Sequence, residues 1–182
     1  MSFPALLDTN VLYGALFNDY LLWLADRGLF RPLRSDEILE ELERNLLKNG
    51  EDLALVEKRL RTMTTYFPDA RVTGYESLVE AMGCHPKDRH VLAAAVRANA
   101  EVLITFNVKD FPPECVADYE VEILHPDDFL LDQLDLCPGA TVGTLRRLSE
   151  IYDSPVMSIK DLVISLSEVV PQFAEAIRGH LD

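Results

Sequence analysis

Residues 4–10 have the sequence PALLDTN, an apolar run that ends at Asp8 and continues into short polar side chains. The uncharged stretch from Pro4 to Leu7 is typical of a strand that is buried on both faces. An acid that follows such a strand lies at the carboxyl edge of the sheet, where open α/β sheets gather their functional groups. The stretch therefore predicts a buried strand that places Asp8 at an edge suited to a site.

Helical and strand patterns alternate downstream of this strand. Helical patterns cover residues 11–29, 36–48, 51–66 and 88–98, a short helical turn covers 75–82, and strand patterns cover 30–33, 70–73, 101–106 and 121–124. Ser35 is a favourable N-cap for the second helix, and Asn49 with Gly50 is a favourable stop for it. Strands separated by helices indicate an α/β fold, with a central, mostly parallel sheet flanked by helices.

The pattern changes at His125, after which every segment is predicted to be helical. The predicted helices cover 126–134, 141–152, 158–170 and 171–180, and Ser158 with Asp161 resembles a capping box. We therefore predict two units, an α/β domain at residues 1–125 and an all-helical C-terminal extension at 126–182. The sequence leaves open whether the extension packs on the first domain or moves against it.

Composition is that of a globular protein without a membrane partner. The chain has 182 residues and 48% hydrophobic residues, which suffices for a sizeable core. Apolar runs stay well short of the roughly 20 residues that cross a bilayer, and the N-terminus lacks the pattern of a secretory signal. We expect a cytoplasmic protein. Cys84, Cys115 and Cys137 form no CxxC pair, so we expect reduced thiols.

The net charge of −14 argues at first against a nucleic-acid partner, because phosphate binding normally leaves a basic surface. Two observations weaken that argument. A site for a divalent metal requires clustered carboxylates, and the metal then supplies positive charge locally. Residues 58–61 and 87–90 are also locally basic. Charge alone therefore leaves the partner open.

Three acids stand where a site is expected, and each has a purely structural alternative. Asp8 could cap the following helix, and Asp88 could mark the start of the helix at residues 88–98. In the acidic helix at 36–48, Glu41 and Glu43 flank the apolar stripe, whereas Glu37 and Glu40 should point nearly away from it. Periodicity alone does not choose between Glu41 and Glu43.

A fourth position follows the predicted strand at residues 101–106. Asn107 lies at the end of that strand and Asp110 three residues further on, and either could instead stabilise the turn before Pro112. Carboxylates at strand ends and helix starts suit Mg²⁺, which prefers oxygen ligands and retains several waters. In the hydrolysis of a phosphodiester such an ion activates water and stabilises developing charge. The chain contains no GxGxxG, GxxxxGK[ST], GxSxG or HExxH motif, which excludes several other chemistries.

Four segments, in order, resemble the motifs of PIN-domain proteins. They are LLDTNVL at residues 6–12, EILEEL at 37–42, KDRHVLAAA at 87–95 and LITFNVKDF at 103–111. The resemblance covers about residues 3–125, and the tail around HPDDFL at 125–130 is similar to the extension of one subgroup of VapC-type toxins. It departs from the commoner pattern at Asn107, where many members carry Asp.

The resemblance implies an endoribonuclease that depends on Mg²⁺ or Mn²⁺ and acts as the toxin of a type II toxin–antitoxin pair. Asp8, Glu41 and Asp88 would hold the metal, with Asp110 or Asn107 completing the catalytic site. A structured RNA such as tRNA would be the substrate. A cognate antitoxin and a second copy of the chain, in a homodimer, would be the protein partners.

Two alternatives remain at this stage. A PIN-like nuclease of RNA maturation or flap cleavage would use the same chemistry without an antitoxin. A non-catalytic PIN scaffold would bind protein or RNA, an option that Asn107 and the acidic charge favour and that the retained Asp8, Glu41 and Asp88 disfavour. A metal-dependent phosphatase is a more distant option.

Overall fold

Five parallel strands form the centre of the computed structural model, which describes residues 2–181. The strands are β1 (Phe3–Leu7), β2 (Phe30–Ser35), β3 (Arg71–Val72), β4 (Val102–Ile104) and β5 (Glu122–Leu124). Their spatial order is β3-β2-β1-β4-β5, and every neighbouring pair is parallel. The predicted α/β class is therefore confirmed. Because β1 lies between β2 and β4, the order reverses at β1, and a crevice is expected beyond its carboxyl end.

Helices cover both the sheet and the C-terminal part of the chain. They are α1 (Thr9–Tyr13), α2 (Ala15–Asp26), α3 (Asp36–Lys48), α4 (Leu53–Tyr66), α5 (Arg89–Arg97), α6 (Pro113–Val116), α7 (Pro126–Leu136), α8 (Pro138–Ile151), α9 (Ile159–Ser167) and α10 (Pro171–Arg178). Short 3-10 turns occur at 68–70, 76–81, 86–88 and 108–110. Within residues 2–181, none of these helices has both the length and the apolar character to span a bilayer.

Besides shifts of a few residues at element ends, two predicted elements next to the carboxyl ends of β1 and β4 differ from the structure. The single helix expected at residues 11–29 is divided into α1 and α2, because Gly14 has extended backbone angles of φ −69° and ψ 119°. The apolar periodicity continues across Gly14, so the pattern did not reveal the break. The strand expected at 101–106 is shorter, since the Phe106 N–H donates to the side chain of Asn10 at 3.0 Å.

The C-terminal helices pack directly on the sheet and on α2. The ring of Phe129 in α7 meets the rings of Phe3 and Phe30 at centroid distances of 6.2 and 5.1 Å. The buried Tyr20 of α2 lies 5.8 Å from Phe173 of α10, and its hydroxyl donates to the Thr141 carbonyl at 3.0 Å. Of the two arrangements left open by the sequence, the structure has the packed one. Residues 1 and 182, the outer ends of the predicted domains, lie outside the described range.

Candidate active site

A cleft of about 580 Å³ opens at the carboxyl ends of β1 and β4. It is lined by Asp8, Thr9, Asn10, Tyr13, Glu41, Asn45, Lys48, Asn49, Lys87, Asp88, Val91 and Asn107. Four of the five predicted site residues therefore share one cavity. Asp110 does not line it.

Asp8 is buried and firmly positioned by hydrogen bonds. Its Oδ1 accepts from the Thr9 N–H at 2.7 Å, so it does act as the N-cap of α1. Its Oδ2 accepts from the Asn10 amide at 2.8 Å and from the Thr105 hydroxyl at 2.7 Å. Burial raises the pKa of Asp8 above its ordinary value despite these bonds, and the charges of Glu41 and Asp88 raise it further.

Glu41 faces the same cleft from the side of α3. Its Oε2 accepts from the Thr9 hydroxyl at 3.2 Å and lies 3.6 Å from Nε2 of His90. Glu43 does not line the cleft, so the choice that periodicity left open falls to Glu41 on geometry. The local reason is the helical rotation fixed by the buried Ile38 and Leu42, which turns Glu41 toward α1.

His90 and Glu37 add contacts that the sequence interpretation missed. His90 is buried, and its Nδ1 lies 3.7 Å from Oε2 of Glu37 while its Nε2 faces Glu41. Glu37 also accepts from the Tyr75 hydroxyl at 3.4 Å. Glu37 is exposed, as the periodicity of α3 predicts, yet its carboxylate still contacts His90 and Tyr75. The spacing of Glu37 and Glu41, one helical turn apart, was the available signal, but their shared partner lies on a distant helix.

Asp88 stands directly before α5, yet its side chain makes no capping hydrogen bond. Its Oδ2 is buried and lacks a hydrogen-bond partner within the described range. Nδ1 of the exposed His85 imidazole lies 3.9 Å from this oxygen, beyond hydrogen-bond distance. Burial raises the pKa of Asp88, and the charges of Asp110 and Glu41 raise it further, whereas Lys87 and His85 lower it. A side chain that only started a helix would not leave a buried carboxylate oxygen unpaired.

Asn107 and Asp110 occupy different positions relative to the cleft. Asn107 is exposed and lines it, and its side chain makes no cap bond to the turn that follows. Asp110 lies outside the cleft lining but close enough for its charge to raise the pKa of Asp88. Asn107 therefore faces the cavity, whereas Asp110 influences it only by raising the pKa of Asp88.

The rim of the cleft carries positive charge that the overall acidity of the chain conceals. Lys48, from the last turn of α3, and Lys87, from the turn before α5, both line it. Asn45 and Asn49 add amide groups on the same side. These side chains provide donors for phosphate oxygens beside the carboxylates.

The donor set fits a hard divalent cation. Three carboxylates face one cavity, two of them have raised pKa values, and one buried oxygen has no hydrogen-bond partner within residues 2–181. In the same range, no group of three or more His, Cys, Asp or Glu side chains is already arranged to hold a metal ion. Mg²⁺ uses only one or two protein carboxylates directly and retains several waters, for which a cleft of about 580 Å³ leaves room.

The fold and cleft together define an α/β protein with an acidic site at the switch point of a parallel sheet. A family model described as PIN domain matches residues 4–109, and one described as VapC50 C-terminal domain matches 126–179. This chain therefore belongs to the PIN-domain family, as its motifs predicted.

A curated relative from Mycobacterium tuberculosis carries the name "Putative ribonuclease VapC50". It is 46% identical over 121 residues, which are 64% of this chain and 72% of that protein. No solved structure matches the chain significantly. The predicted resemblance to VapC-type proteins is thus confirmed by the C-terminal match as well as by this relative.

Proposed function

We propose that this chain is a metal-dependent endoribonuclease and the toxin of a toxin–antitoxin pair. The observation that carries the proposal is the buried oxygen of Asp88, which has no hydrogen-bond partner among the described residues 2–181 and lies in the same cleft as Asp8 and Glu41. The relative's name supports RNA as the substrate. A structured RNA such as tRNA, a cognate antitoxin, a homodimer and a cytoplasmic location belong to the same proposal, as does the division into residues 1–125 and 126–182.

Asp8, Glu41 and Asp88 would hold Mg²⁺ or Mn²⁺, with Asp110 or Asn107 completing the site. When bound, a divalent cation supplies water activation and neutralises charge at a phosphodiester. The hydrogen bonds from Thr9, Asn10 and Thr105 keep the Asp8 carboxylate in one orientation.

The other polar residues of the cleft would position the RNA and the acids. Lys48 and Lys87 would bind phosphate oxygens on either side of the cut. His90 would hold Glu41 in place, since its Nε2 lies 3.6 Å from Oε2 of that carboxylate. None of these roles requires the chain to be basic overall, because Lys48 and Lys87 place positive charge at the cleft itself.

The experiment is induced expression followed by sequencing of the 5′ ends of RNA fragments, with Asp8→Asn as the inactive control. We expect new 5′ ends at a few positions in the wild type and none in the variant. The purified wild-type protein should then cut a synthetic RNA spanning the mapped position with Mg²⁺ or Mn²⁺ but not with a chelator. Identical RNA ends in wild type and variant would contradict the proposal and favour a non-catalytic scaffold.

A further inference from the structure

A second cavity, of about 390 Å³, adjoins the cleft and shares Asn10 and Tyr13 with it. We call it the aromatic pocket. Its lining residues are Asn10, Tyr13, Gly14, Phe17, Phe106, Glu168 and Val169. The first five precede residue 125, whereas Glu168 and Val169 follow α9 in the C-terminal extension. The pocket is therefore completed by a part of the chain that contributes nothing to the acidic cleft itself.

The aromatic wall of this pocket is packed against neighbouring rings. The Phe106 ring lies at a centroid distance of 5.7 Å from Phe17 and 5.3 Å from His125, the latter in a T-shaped arrangement. Phe17 is buried, so the wall is supported from within the fold. Tyr13 is 36% exposed and lines both cavities, which places an accessible aromatic ring at their junction. Such rings provide flat apolar surface at little cost in conformational entropy.

Asn10 links the aromatic pocket mechanically to the cleft. Its amide nitrogen donates to Asp8 and to the Thr105 hydroxyl, at 2.8 and 3.0 Å, and its carbonyl oxygen accepts from the Phe106 N–H at 3.0 Å. One side chain therefore fixes both the acid of the cleft and the backbone of the aromatic wall. A ligand that occupies both cavities would therefore contact a carboxylate and an aromatic wall that are held by the same side chain.

The chemistry of the lining selects a flat ring with hydrogen-bond donors. The walls are aromatic and aliphatic, and Val169 is 40% exposed, so it presents apolar surface to the opening. Glu168 is exposed at the rim and places a carboxylate there, which repels phosphate but accepts from amino groups. A nucleobase next to a phosphodiester has this combination of a π-face and amino donors.

We infer that the aromatic pocket binds one unstacked base of the RNA, adjacent to the phosphodiester cut in the cleft. The base carries an exocyclic amino group that donates a hydrogen bond to the Glu168 carboxylate. The inference rests on the proposed ribonuclease function and assigns the C-terminal extension a direct role in substrate binding. Sequence-specific RNA recognition commonly uses splayed bases stacked on aromatic side chains.

The test uses the synthetic RNA that spans the mapped cut, together with versions that carry a single abasic nucleotide at each flanking position. For the wild type, an abasic nucleotide at one position should lower kcat/KM about tenfold, mainly through KM, and at the other positions it should do little. Tyr13→Ala and Val169→Trp should lower kcat/KM on the intact RNA by a similar factor. With either variant the abasic nucleotide at that position should cause no further loss.

Matched controls separate this effect from a general loss of structure. Tyr66→Ala removes a tyrosine that is 73% exposed outside both cavities, and Ile164→Trp adds a tryptophan at a residue of α9 that is 58% exposed. Both should behave as wild type on every RNA. Glu168→Gln should reduce the preference for an amino-bearing base over uracil at the same position; an unchanged preference would overturn that part of the inference.

Two outcomes would overturn the base subsite. One is that Tyr13→Ala and Val169→Trp lower activity by the same factor on intact and abasic RNAs. The other is that no abasic position affects the wild type. Absence of any cut by the wild type is a separate result, which would overturn the proposed function and this inference together with it.

Discussion

Asp8 precedes α1 and Asp88 precedes α5, and both carboxylates face the cleft beside Glu41. Their surroundings are opposite. Asp8 accepts hydrogen bonds from Thr9, Asn10 and Thr105. Asp88 makes no cap bond, and its buried Oδ2 has no hydrogen-bond partner in the part of the chain that the structure describes. At the level of sequence the two positions give the same signal, an acid at a helix start.

Under the proposed function, Asp8 would combine a structural role with metal binding, whereas Asp88, whose side chain caps no helix, would have the metal-binding role alone. At Asp8 the local capping bond uses one oxygen, and the remaining bonds orient the group toward the cleft. At Asp88 one carboxylate oxygen is buried and finds no hydrogen-bond partner among residues 2–181, which costs stability unless a cation binds. Asp88 therefore carries the stronger indication of function.

The largest expected effect is on cleavage. Asp8→Asn and Asp88→Asn should each lower kcat/KM on the mapped RNA by about 100-fold or more, since each removes a charge that would hold the ion. Asp118→Asn, at an exposed acid outside the cleft lining, is the matched control and should have little effect. Wild-type activity in either site variant would remove that acid from the site and end the comparison.

Glu41 extends the comparison to a third acid with partners of its own. Glu41→Gln should lower kcat/KM by a comparable factor of about 100, because its carboxylate faces the same cleft. Glu40→Gln and Glu43→Gln should do little, since neither residue lines the cleft. If Glu43→Gln were the inactive variant, the orientation of α3 assigned here to the site would be wrong.

Asn107 tests whether a fourth group faces the ion. Asn107→Asp should tighten Mn²⁺ binding roughly tenfold, because affinity for such ions rises with the number of charged ligands. Calorimetric titration of wild type and variant gives both affinity and stoichiometry. Unchanged values, together with weaker binding by Asp110→Asn, would assign the fourth role to Asp110.

A smaller effect separates Asp8 from Asp88 without any metal. Asp88→Asn should raise the Tm of the metal-free protein by about 2–4 °C, because it removes a charge that burial disfavours. Asp8→Asn should raise the Tm less, because the relief of its own buried charge is offset by an amide group that faces the donors of Asn10 and Thr105. Equal shifts would contradict the contrast between the two carboxylates.

The effect of Asp88→Asn on stability should depend on pH with a defined sign. Because the pKa of Asp88 in the folded protein is raised above its ordinary value of 3.8, its ionised form opposes folding as the pH rises above that value. The stabilisation by Asp88→Asn should therefore be largest near neutral pH and decrease as the pH falls toward 3.8. Thermal unfolding of the wild type and of Asp88→Asn across this pH range measures the difference in Tm.

Much of the fold could be predicted because the relevant signals are local. The helix at residues 36–48 has the bounds expected from the Ser35 cap and the stop at Asn49, and Ser35 does accept from the Ile38 N–H at 3.2 Å. The capping box of Ser158 and Asp161 is also present. Each of these features depends on residues close together in the chain, so it is readable without knowledge of the packing.

The rest of the candidate site depends on which elements become neighbours. Thr105 can reach Asp8 only because β4 lies beside β1, and His90 can reach Glu41 only because α5 packs near α3. The aromatic pocket brings together Phe106 and Glu168, which are far apart in the sequence. Periodicity carries no information on such distant pairs, which is why the contacts of Glu37 with His90 and Tyr75 were not predicted.

The most direct test of the metal site is thermal unfolding with and without millimolar Mg²⁺ or Mn²⁺, on the wild type, Asp88→Asn and Glu40→Gln. An ion that binds only the folded state raises the Tm. At a concentration one hundred times its Kd, it increases the free energy of unfolding by about 2.7 kcal/mol. We predict a clear increase for the wild type and for Glu40→Gln, and little or none for Asp88→Asn. An equal increase in all three proteins would contradict the assignment of the ion to this cleft.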